Sequence, residues 1–380
     1  MKQILIISFS DLNHDARVSR QIDFIKDQNE VSVICYNGKD NDRYSLYRIP
    51  KTKFTLPVKF ISSIYLLLRL HLRAWHVMYQ TQQVIRDFSK KPFDIIIAND
   101  VESLPLAFTL KGNAKIIFDA HEYAPRHFED RLVWRIFFQP FNVYLCKKFI
   151  PLVDKMLTVG KGLANEYKKN FGVSPVIMNN ATWYSDIQPK PPTEVIRIIH
   201  HGGSTPSRKL ELMIEMMKYL DDRFSLDLML IVPQLASSKT SGYIDYLKKL
   251  AEGDSRIVFR PALKSNELIP FLNNYDIGIF LLPPINFNYA NTLPNKLFDF
   301  IQARLAIAIG PTPEMKEIVE SYDIGLVSDD FTPQSLASKL KNISKEDLIR
   351  FKQNASKAAI ELSADKNSKL LNELVSTSIN

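Results

Sequence analysis

The sequence predicts an α/β protein with two domains, each built on a parallel sheet. Its 380 residues exceed one typical α/β domain and suit two. Short β-branched apolar runs alternate with segments of helical length, which is the pattern of βαβ units. One polar segment with three prolines, residues 185–194, interrupts this alternation and favours an interdomain linker.

The predicted strands form one series on each side of this linker. The first series covers residues 4–7, 31–35, 94–98, 116–119 and 156–159, and the second covers 196–200, 226–232, 257–259, 277–281, 306–309 and 324–327. We therefore predict an N-terminal domain over residues 1–185 and a C-terminal domain over residues 195–345. Residues 346–380 are expected to form a long helical segment across the surface, with a return to the N-terminal domain as one option.

The composition is that of a globular protein, with 46% apolar and 24% charged residues. The two cysteines, Cys35 and Cys146, lie far apart, which predicts neither a disulfide framework nor a zinc site and favours the cytoplasm. The N-terminal MKQILIISFSD has a short apolar run without a signal-peptide cleavage site. We interpret it as a first buried strand.

Positive charge is concentrated in the first half of the chain. Residues 1–185 carry 26 Lys and Arg against 17 Asp and Glu, whereas residues 186–380 carry 23 against 24. A basic face suits nucleic acid, anionic lipid or a phosphorylated substrate, and charge alone does not choose among these or plain solubility. Residues 54–88 form an aromatic, basic stretch without the 18 uninterrupted apolar residues of a spanning helix. An interfacial helix on anionic lipid and a buried helix pair with solvated arginines both remain open.

A turn with glycines and cations follows the first strand of the second domain. The strand is predicted to end at His200, and His201, Gly202 and Gly203 precede the pair Arg208 and Lys209 and then a helix. Glycine lets a ligand approach the backbone, and the helix N-terminus and the two cations favour phosphate oxygens. The turn therefore suits a diphosphate, although such loops open many α/β helices for structural reasons alone.

A second candidate element, the segment NTLPNKLFDF, opens a helix after a buried strand. The N–H groups of Thr292 and Leu293 and the helix dipole favour an anion there, and Asp299 would accept hydrogen bonds from ribose hydroxyls. Asn291 stands eight positions before Asp299. The donor-binding set predicted from both elements comprises Gly202, Gly203, Arg208, Lys209, Asn291, Thr292, Leu293, Asn295, Lys296 and Asp299.

Polar clusters also follow two strands of the first domain. Asn13, His14 and Asp15 come after the first strand, and His121 and Glu122 come after the strand at 116–119. Ligands of open α/β sheets bind outside the carboxyl ends of the strands. Histidine can donate to a sugar hydroxyl or transfer a proton, while a purely structural role is the alternative for a single His.

Taken in order, these segments resemble the large retaining GT-B glycosyltransferase family 4. The resemblance covers nearly the whole chain and rests on NHDARV, DAHEY, VIMNNA, the G…RK turn and PNKLFDF. It implies two Rossmann-like domains with parallel sheets facing across a cleft. It also implies transfer of a sugar, with retention, from a nucleotide sugar to a glycan or lipid-linked acceptor in polysaccharide or glycolipid synthesis.

The resemblance also assigns roles. His121 would lie beside the donor sugar, and Arg208 with Lys296 would stabilise the departing diphosphate of a UDP- or GDP-sugar, without a metal or other cofactor. Asn291 and Asp299 stand where the family has a Glu-x7-Glu pair, and the position at Gly203 and Ser204 lacks the family's first diphosphate cation. Asn291 keeps only a neutral hydrogen-bonding group.

The acceptor is expected on the N-terminal domain, with Asn13, His14, Asp15 and Glu122 as candidate contacts, in a cytoplasmic protein peripheral to the inner membrane face. Two alternatives stay open, a nucleotide-sugar 2-epimerase and a non-catalytic nucleotide-sugar-binding partner subunit. The absence of a nucleic-acid reader motif argues against a nucleic-acid partner.

Overall fold

A computed structural model describes residues 1–51, 55–231 and 238–377, which fold into two compact units. The first unit contains Met1–Asn179, the short segment Asn286–Asn288 and the chain from Asn367 onward, and the second contains Asn180–Ile285 and Tyr289–Lys366. Asn288 belongs to the first unit because its Oδ1 accepts a hydrogen bond of 2.7 Å from the backbone N–H of Tyr123.

The first unit is built on a seven-stranded parallel sheet in the order β3-β2-β1-β4-β5-β6-β7. Its elements are β1 (Gln3–Ile7), α1 (Ala16–Ile25), β2 (Glu30–Cys35), β3 (Ser45–Arg48), α2 (Leu56–Leu67), α3 (His71–Tyr79), α4 (Gln82–Phe88), β4 (Ile95–Asn99), α5 (Leu104–Leu110), β5 (Lys115–Ala120), α6 (Leu132–Phe149), β6 (Lys155–Thr158), α7 (Lys161–Phe171) and β7 (Val176–Ile177). The central strands are mostly apolar and buried because helices cover both faces of a parallel sheet.

The second unit repeats this order in a six-stranded parallel sheet, β10-β9-β8-β11-β12-β13. From residue 196 the chain forms β8 (Ile196–Gly203), α8 (Glu211–Met217), β9 (Phe224–Ile231), α9 (Ser238–Leu250), β10 (Ile257–Arg260), α10 (Ser265–Leu272), β11 (Ile277–Phe280), α11 (Phe287–Ala290), α12 (Asn295–Gln302), β12 (Ala306–Ile309), α13 (Pro313–Ser321), β13 (Gly325–Val327), α14 (Pro333–Lys341), α15 (Lys345–Glu361) and α16 (Ala364–Thr377). The prediction of an α/β protein with two parallel sheets is confirmed.

Helix α16 belongs to the first unit from Asn367 onward. Its Asn372 side chain donates to the backbone oxygen of Phe24 at 2.8 Å, and the Lys2 ammonium donates to the backbone oxygen of Val375 at 2.5 Å. Leu371 and Val375 are buried. The long helical segment predicted over 346–380 is therefore two helices, α15 and α16, separated by two residues, and residues 378–380 lie outside the described chain.

The predicted strands differ from the structure in two main ways. The sequence patterns miss β3 and β7, which are short edge strands, because only a central strand needs a continuous apolar run. Strand β8 continues to Gly203 rather than ending at His200, since its ladder with β9 extends to the pair Gly203 and Ile231. Residue 232, the predicted last residue of β9, lies outside the described chain.

Residues 55–88 form the three helices α2, α3 and α4, and Phe54 lies outside the described chain. Trp75 and Met78 of α3 are buried, whereas several large apolar side chains of α2 are exposed. Nowhere in residues 1–51, 55–231 or 238–377 does a helix combine the length and apolarity that crossing a membrane requires.

The contact of α12 with β11 gives a test of the second unit's packing. A Cβ atom at Gly278 would overlap the ring of Phe300, so Gly278→Ala should destabilise the fold by about 1–3 kcal/mol. Gly242→Ala is the matched control, since it lies in α9 with nothing within 4 Å of its Cβ position and should stabilise by about 0.4–1 kcal/mol. Urea unfolding measures both. Equal stability of the two variants would contradict this packing.

Candidate functional site

In the first unit, polar side chains cluster after the adjacent strands β4 and β5. His121 follows β5, and Asn99 and Asp100 lie at the end of β4. The Nε2 atom of His121 lies 3.1 Å from Oδ1 of Asn99, and its Nδ1 atom lies 3.2 Å from Oδ2 of Asp100. Both ring nitrogens of His121 thus face oxygen atoms.

A chain of hydrogen bonds fixes which atom of Asn99 faces the histidine. The buried Asp119 carboxylate accepts from Arg17 Nη2 at 2.6 Å and from the Gln21 amide at 3.0 Å. Gln21 therefore presents its oxygen to Asn99, whose amide nitrogen donates to it at 2.9 Å. The amide oxygen of Asn99 therefore faces His121. Because this oxygen can only accept a hydrogen bond, the Nε2 atom of His121 must carry a proton.

His121 is consequently a doubly protonated imidazolium. Burial opposes this charge, but the carboxylates of Asp100 and Asp119 outweigh it and raise the pKa of His121 to about 9. The Arg17 guanidinium and His121 hold the pKa of Asp119 well below its usual range against the effect of burial. In this state His121 carries a positive charge and cannot accept a proton.

Asp100 is held in place for this contact by an uncommon backbone conformation. Its φ angle is +59°, a left-handed value that costs energy for a residue other than glycine. Its Oδ1 atom accepts a hydrogen bond of 3.1 Å from the backbone N–H of His121 while Oδ2 faces the ring. The carboxylate thus contacts His121 at two points.

The remaining candidates of the first unit make local contacts. Asn13 donates to the Asp11 carboxylate at 2.8 Å within the turn after β1, and His14 is exposed in the same turn. Asp15 caps α1 by accepting from the backbone N–H of Val18 at 3.0 Å. The Glu122 carboxylate lies 2.8 Å from His127 Nε2 rather than beside His121. The structure thus brings none of their side chains to the His121 ring through a described hydrogen bond.

In the second unit, the Lys296 side chain is buried beside the end of β8. Its ammonium lies 3.3 Å from Nε2 of His200 and 3.8 Å from the ring centre of Phe280. His200 donates from Nδ1 to the backbone oxygen of Ile279 at 3.1 Å, so its Nε2 is the acceptor for Lys296. Burial and the Lys296 ammonium hold the pKa of His200 well below its usual range, consistent with a neutral ring.

The backbone of the glycine turn adjoins this ammonium. Gly202 has a φ angle of +126°, and a Cβ atom there would lie 3.2 Å from the Lys296 ammonium nitrogen. A Cβ at Gly203 would lie 3.9 Å from Nε of Arg208. Burial and then the Arg208 charge hold the pKa of Lys296 well below its usual range, with Asp299 opposing them. Two cations therefore adjoin neighbouring glycines.

Arg208 and Lys209 lie between β8 and α8, before the α-helix as the sequence predicted. Arg208 ends a short 3₁₀ helix, Pro206–Arg208, because Lys209 adopts a left-handed φ of +52° and stops it. Helix α8 starts only at Glu211, whose carboxylate lies 3.6 Å from the Lys209 ammonium. Arg208 lies toward Gly203, whereas Lys209 pairs with the first residue of α8.

Asp299 lies beside His201, which the sequence placed in the glycine turn but not among the donor contacts. His201 Nε2 is 3.5 Å from Oδ2 of Asp299, and both residues are buried. This nitrogen is among the buried polar atoms of the described chain that lack a hydrogen-bond partner. Burial and the Lys296 charge lower the pKa of His201 to about 3, so the ring is neutral at pH 7.

The loop before α12 holds the other predicted donor contacts. Pro294 precedes α12, which begins at the exposed Asn295, as predicted. Leu293 is buried, and its backbone oxygen accepts from Asn180 at 2.8 Å. Asn291 and Thr292 are half-buried in the same loop. Their roles toward a ligand stay predictions.

The site residues that were not predicted do have a recognisable pattern in the sequence. Asn99 and Asp100 directly follow the apolar run of β4, which is the same criterion that selected His121 after β5. His200 and His201 are consecutive polar residues that follow the apolar pair Ile198 and Ile199 within β8. In the described part of the chain, His, Cys, Asp and Glu side chains form no group of three that would hold a metal ion.

Comparisons with known proteins give the fold. No protein-family model matches the chain, and no curated protein matches it. The structure matches HepE of Anabaena in complex with UDP and glucose, with a TM-score of 0.73 at 12% identity over 99% of this chain and 100% of that one. This chain has the GT-B fold.

Two other solved structures match the GT-B chain over nearly all of their lengths. Sucrose-phosphate synthase of Thermosynechococcus elongatus gives a TM-score of 0.72 at 11% identity, covering 99% of this chain and 98% of that one. The α,α-trehalose 6-phosphate synthase of Burkholderia multivorans gives 0.71 at 10% identity, covering 100% of both chains. The predicted GT-B architecture is confirmed.

The charge state of His121 can be measured by NMR titration of its ring, assigned with His121→Gln. We expect a pKa of about 9 in the wild type and a clearly lower value in Asp100→Asn, which removes one of the two stabilising carboxylates. Glu122→Gln is the matched control and should leave the value unchanged, because that carboxylate pairs with His127. Titration near 6.5 in the wild type would contradict the imidazolium.

The free energy of unfolding should also depend on pH because of the raised pKa of His121. Since the folded pKa of about 9 lies above the unfolded value of about 6.5, the charge of His121 stabilises the fold fully below pH 6.5. This contribution is lost as the pH rises from 6.5 through 9. Urea unfolding at several pH values should show a loss over this range that is smaller in His121→Gln.

Proposed function

We propose that the chain is a retaining, family 4-like glycosyltransferase that moves a sugar from a nucleotide-sugar donor to an acceptor. The observation that carries the proposal is the buried Lys296 ammonium beside Arg208 and the glycine turn of β8. Two adjoining cations repel each other when no anion is near. A diphosphate at Gly202 and Gly203 would neutralise both, and the absence of side chains there lets its oxygens approach the backbone.

The pair of His201 and Asp299 supports a ribose beside the diphosphate. The His201 nitrogen is buried without a hydrogen-bond partner in the described chain, and the Asp299 carboxylate lies 3.5 Å away. A hydroxyl group both donates and accepts, so a ribose hydroxyl would give the His201 nitrogen a hydrogen-bond partner and would also donate to the Asp299 carboxylate. Asn291 stands where the resembled family has a Glu and would offer an amide to the donor sugar.

His121 and Arg208 are the proposed catalytic residues. His121 is an imidazolium at neutral pH, so we assign it hydrogen-bond donation and positive charge near the sugar rather than proton abstraction. Arg208 and Lys296 would stabilise the negative charge that develops on the leaving diphosphate. Because these two side chains supply positive charge, the proposed mechanism needs no metal.

The solved structures guide the choice of donor and acceptor. HepE of Anabaena was solved with UDP and UDP-glucose, so UDP-sugars are the first donors to test, followed by GDP-sugars. We propose a glycan or lipid-linked acceptor in polysaccharide or glycolipid synthesis at the inner membrane face. The excess of positive charge in residues 1–185 supports an acceptor that carries phosphate.

Donor binding is tested by thermal unfolding against a panel of UDP-, GDP-, ADP- and CMP-sugars. A ligand that binds only the folded state raises the melting temperature, and we expect one class of base to do so. Arg208→Ala and Asp299→Ala should abolish the rise. Lys209→Ala is the matched control and should keep most of it, since Lys209 pairs with Glu211. Silence across the panel would overturn the proposal.

Transfer itself is tested by the release of nucleoside diphosphate in the presence of acceptor lipid extracts. We expect release that depends on His121 and Arg208. Binding of the donor without any release would favour the non-catalytic partner subunit, for which the neutral Asn291 is the supporting observation.

The depressed pKa of Lys296 gives an independent test of the diphosphate position. An anion beside the ammonium raises its pKa, so donor binding should take up protons at pH values where free Lys296 is partly neutral. Calorimetry in two buffers of different ionisation enthalpy measures this uptake between pH 7 and 10. Lys296→Met should reduce it, and identical uptake in both proteins would place the diphosphate elsewhere.

A further inference from the structure

We infer that the paired helices α2 and α6 of the first unit form a surface that docks on anionic lipid bilayers. The two helices pack against each other. Six of their apolar side chains are more than half exposed: Leu56, Phe60, Leu67, Leu68, Leu132 and Val133. We call this set, which includes the first residue after α2, the α2–α6 face.

The face is not explained by the core of the unit. Only Ser62 and Leu66 of the twelve-residue helix α2 are buried, although nine of its twelve residues are apolar. In α6 the buried residues begin at Phe141, and before them Phe137 and Phe138 pack only partly against the core. Soluble proteins seldom expose contiguous apolar surface of this kind unless it binds a partner or a membrane.

The charge around the face identifies the occupant. The sequence has no Asp or Glu between Arg43 and Arg86, and none from Arg131 to Val153. Lys59, Arg69, Arg73 and Arg135 are exposed there, and within the described ranges they pair with no carboxylate. Exposed apolar side chains that share their segments with unpaired cations fit the headgroup region of an anionic bilayer, where each basic residue is attracted to the negative surface.

The dimensions agree with a helix that lies on the bilayer. Twelve residues of α2 span about 18 Å, well short of the roughly 30 Å hydrocarbon core. Bilayer docking itself does not depend on the proposed function. The inference rests on that function only where it explains the purpose of docking, which is to bring a lipid-linked acceptor near the protein.

The test is flotation of the full chain with vesicles of phosphatidylcholine alone or mixed equally with phosphatidylglycerol. We expect the wild type to float with the mixed vesicles and to be released by salt. Phe60→Asp and Val133→Asp should each weaken binding by about tenfold or more, and Lys59→Glu with Arg135→Glu by at least about fivefold each. The matched control Ile360→Asp changes a similarly exposed apolar residue of α15 and should bind as the wild type does.

Three outcomes would overturn the inference: equal binding to neutral and anionic vesicles, binding unaffected by Phe60→Asp, or no binding to anionic vesicles. If the last is found together with a dimer that Phe60→Asp dissociates, the occupant is a second copy of the chain. The nucleotide-sugar melting panel, run on the same variants, separates this inference from the proposed function. Phe60→Asp should keep the donor-induced rise, since it lies outside the second unit. Vesicle binding without any donor-induced rise would overturn the proposed function alone.

Discussion

The buried ion pair of Arg17 and Asp119 determines the chemistry of the first unit. Asp119 lies in the fully buried stretch of β5, where an unpaired carboxylate would cost several kcal/mol, on the order of 3–5. Arg17 reaches it from α1 and also donates to the backbone oxygen of Met178, which joins α1, β5 and the end of β7. Because Asp119 stays charged, the orientation of Gln21 and then of Asn99 follows, and with it the protonation of His121.

The second unit also buries a cation, but without a close carboxylate partner like the one that Arg17 has. Lys296 is as buried as Arg17, but its described neighbours are a neutral imidazole, an aromatic face, the Arg208 cation and the partly opposing charge of Asp299. Cation–π attraction to Phe280 and the hydrogen bond to His200 replace only part of its hydration. In the first unit the buried cation is therefore paired with a carboxylate of the protein. In the second unit the positive charge of Lys296 and Arg208 would be neutralised by a bound anion.

The central strands of both sheets could be predicted from the sequence, but the side-chain pairs at the ends of these strands could not. Central parallel strands need continuous apolar runs, and β1, β4, β5, β8 and β12 were all predicted from them. Edge strands β3 and β7 need no such run and were missed. The partnership of His121 with Asp100, 21 residues earlier, and of His201 with Asp299, depends on which strands are neighbours. Strand order is a tertiary property that spacing along the chain does not encode.

The extension of β8 to Gly203 bears on the thermodynamics of ligand capture. Gly202 and Gly203 pair with Leu230 and Ile231 of β9, so these flexible residues are already ordered in a sheet ladder before any ligand arrives. Ordering a glycine costs more conformational entropy than ordering any other residue. In this turn the entropy cost is incurred when the protein folds and not when the ligand binds. The glycine turn is therefore a pre-organised part of the surface rather than a loop that closes over its ligand.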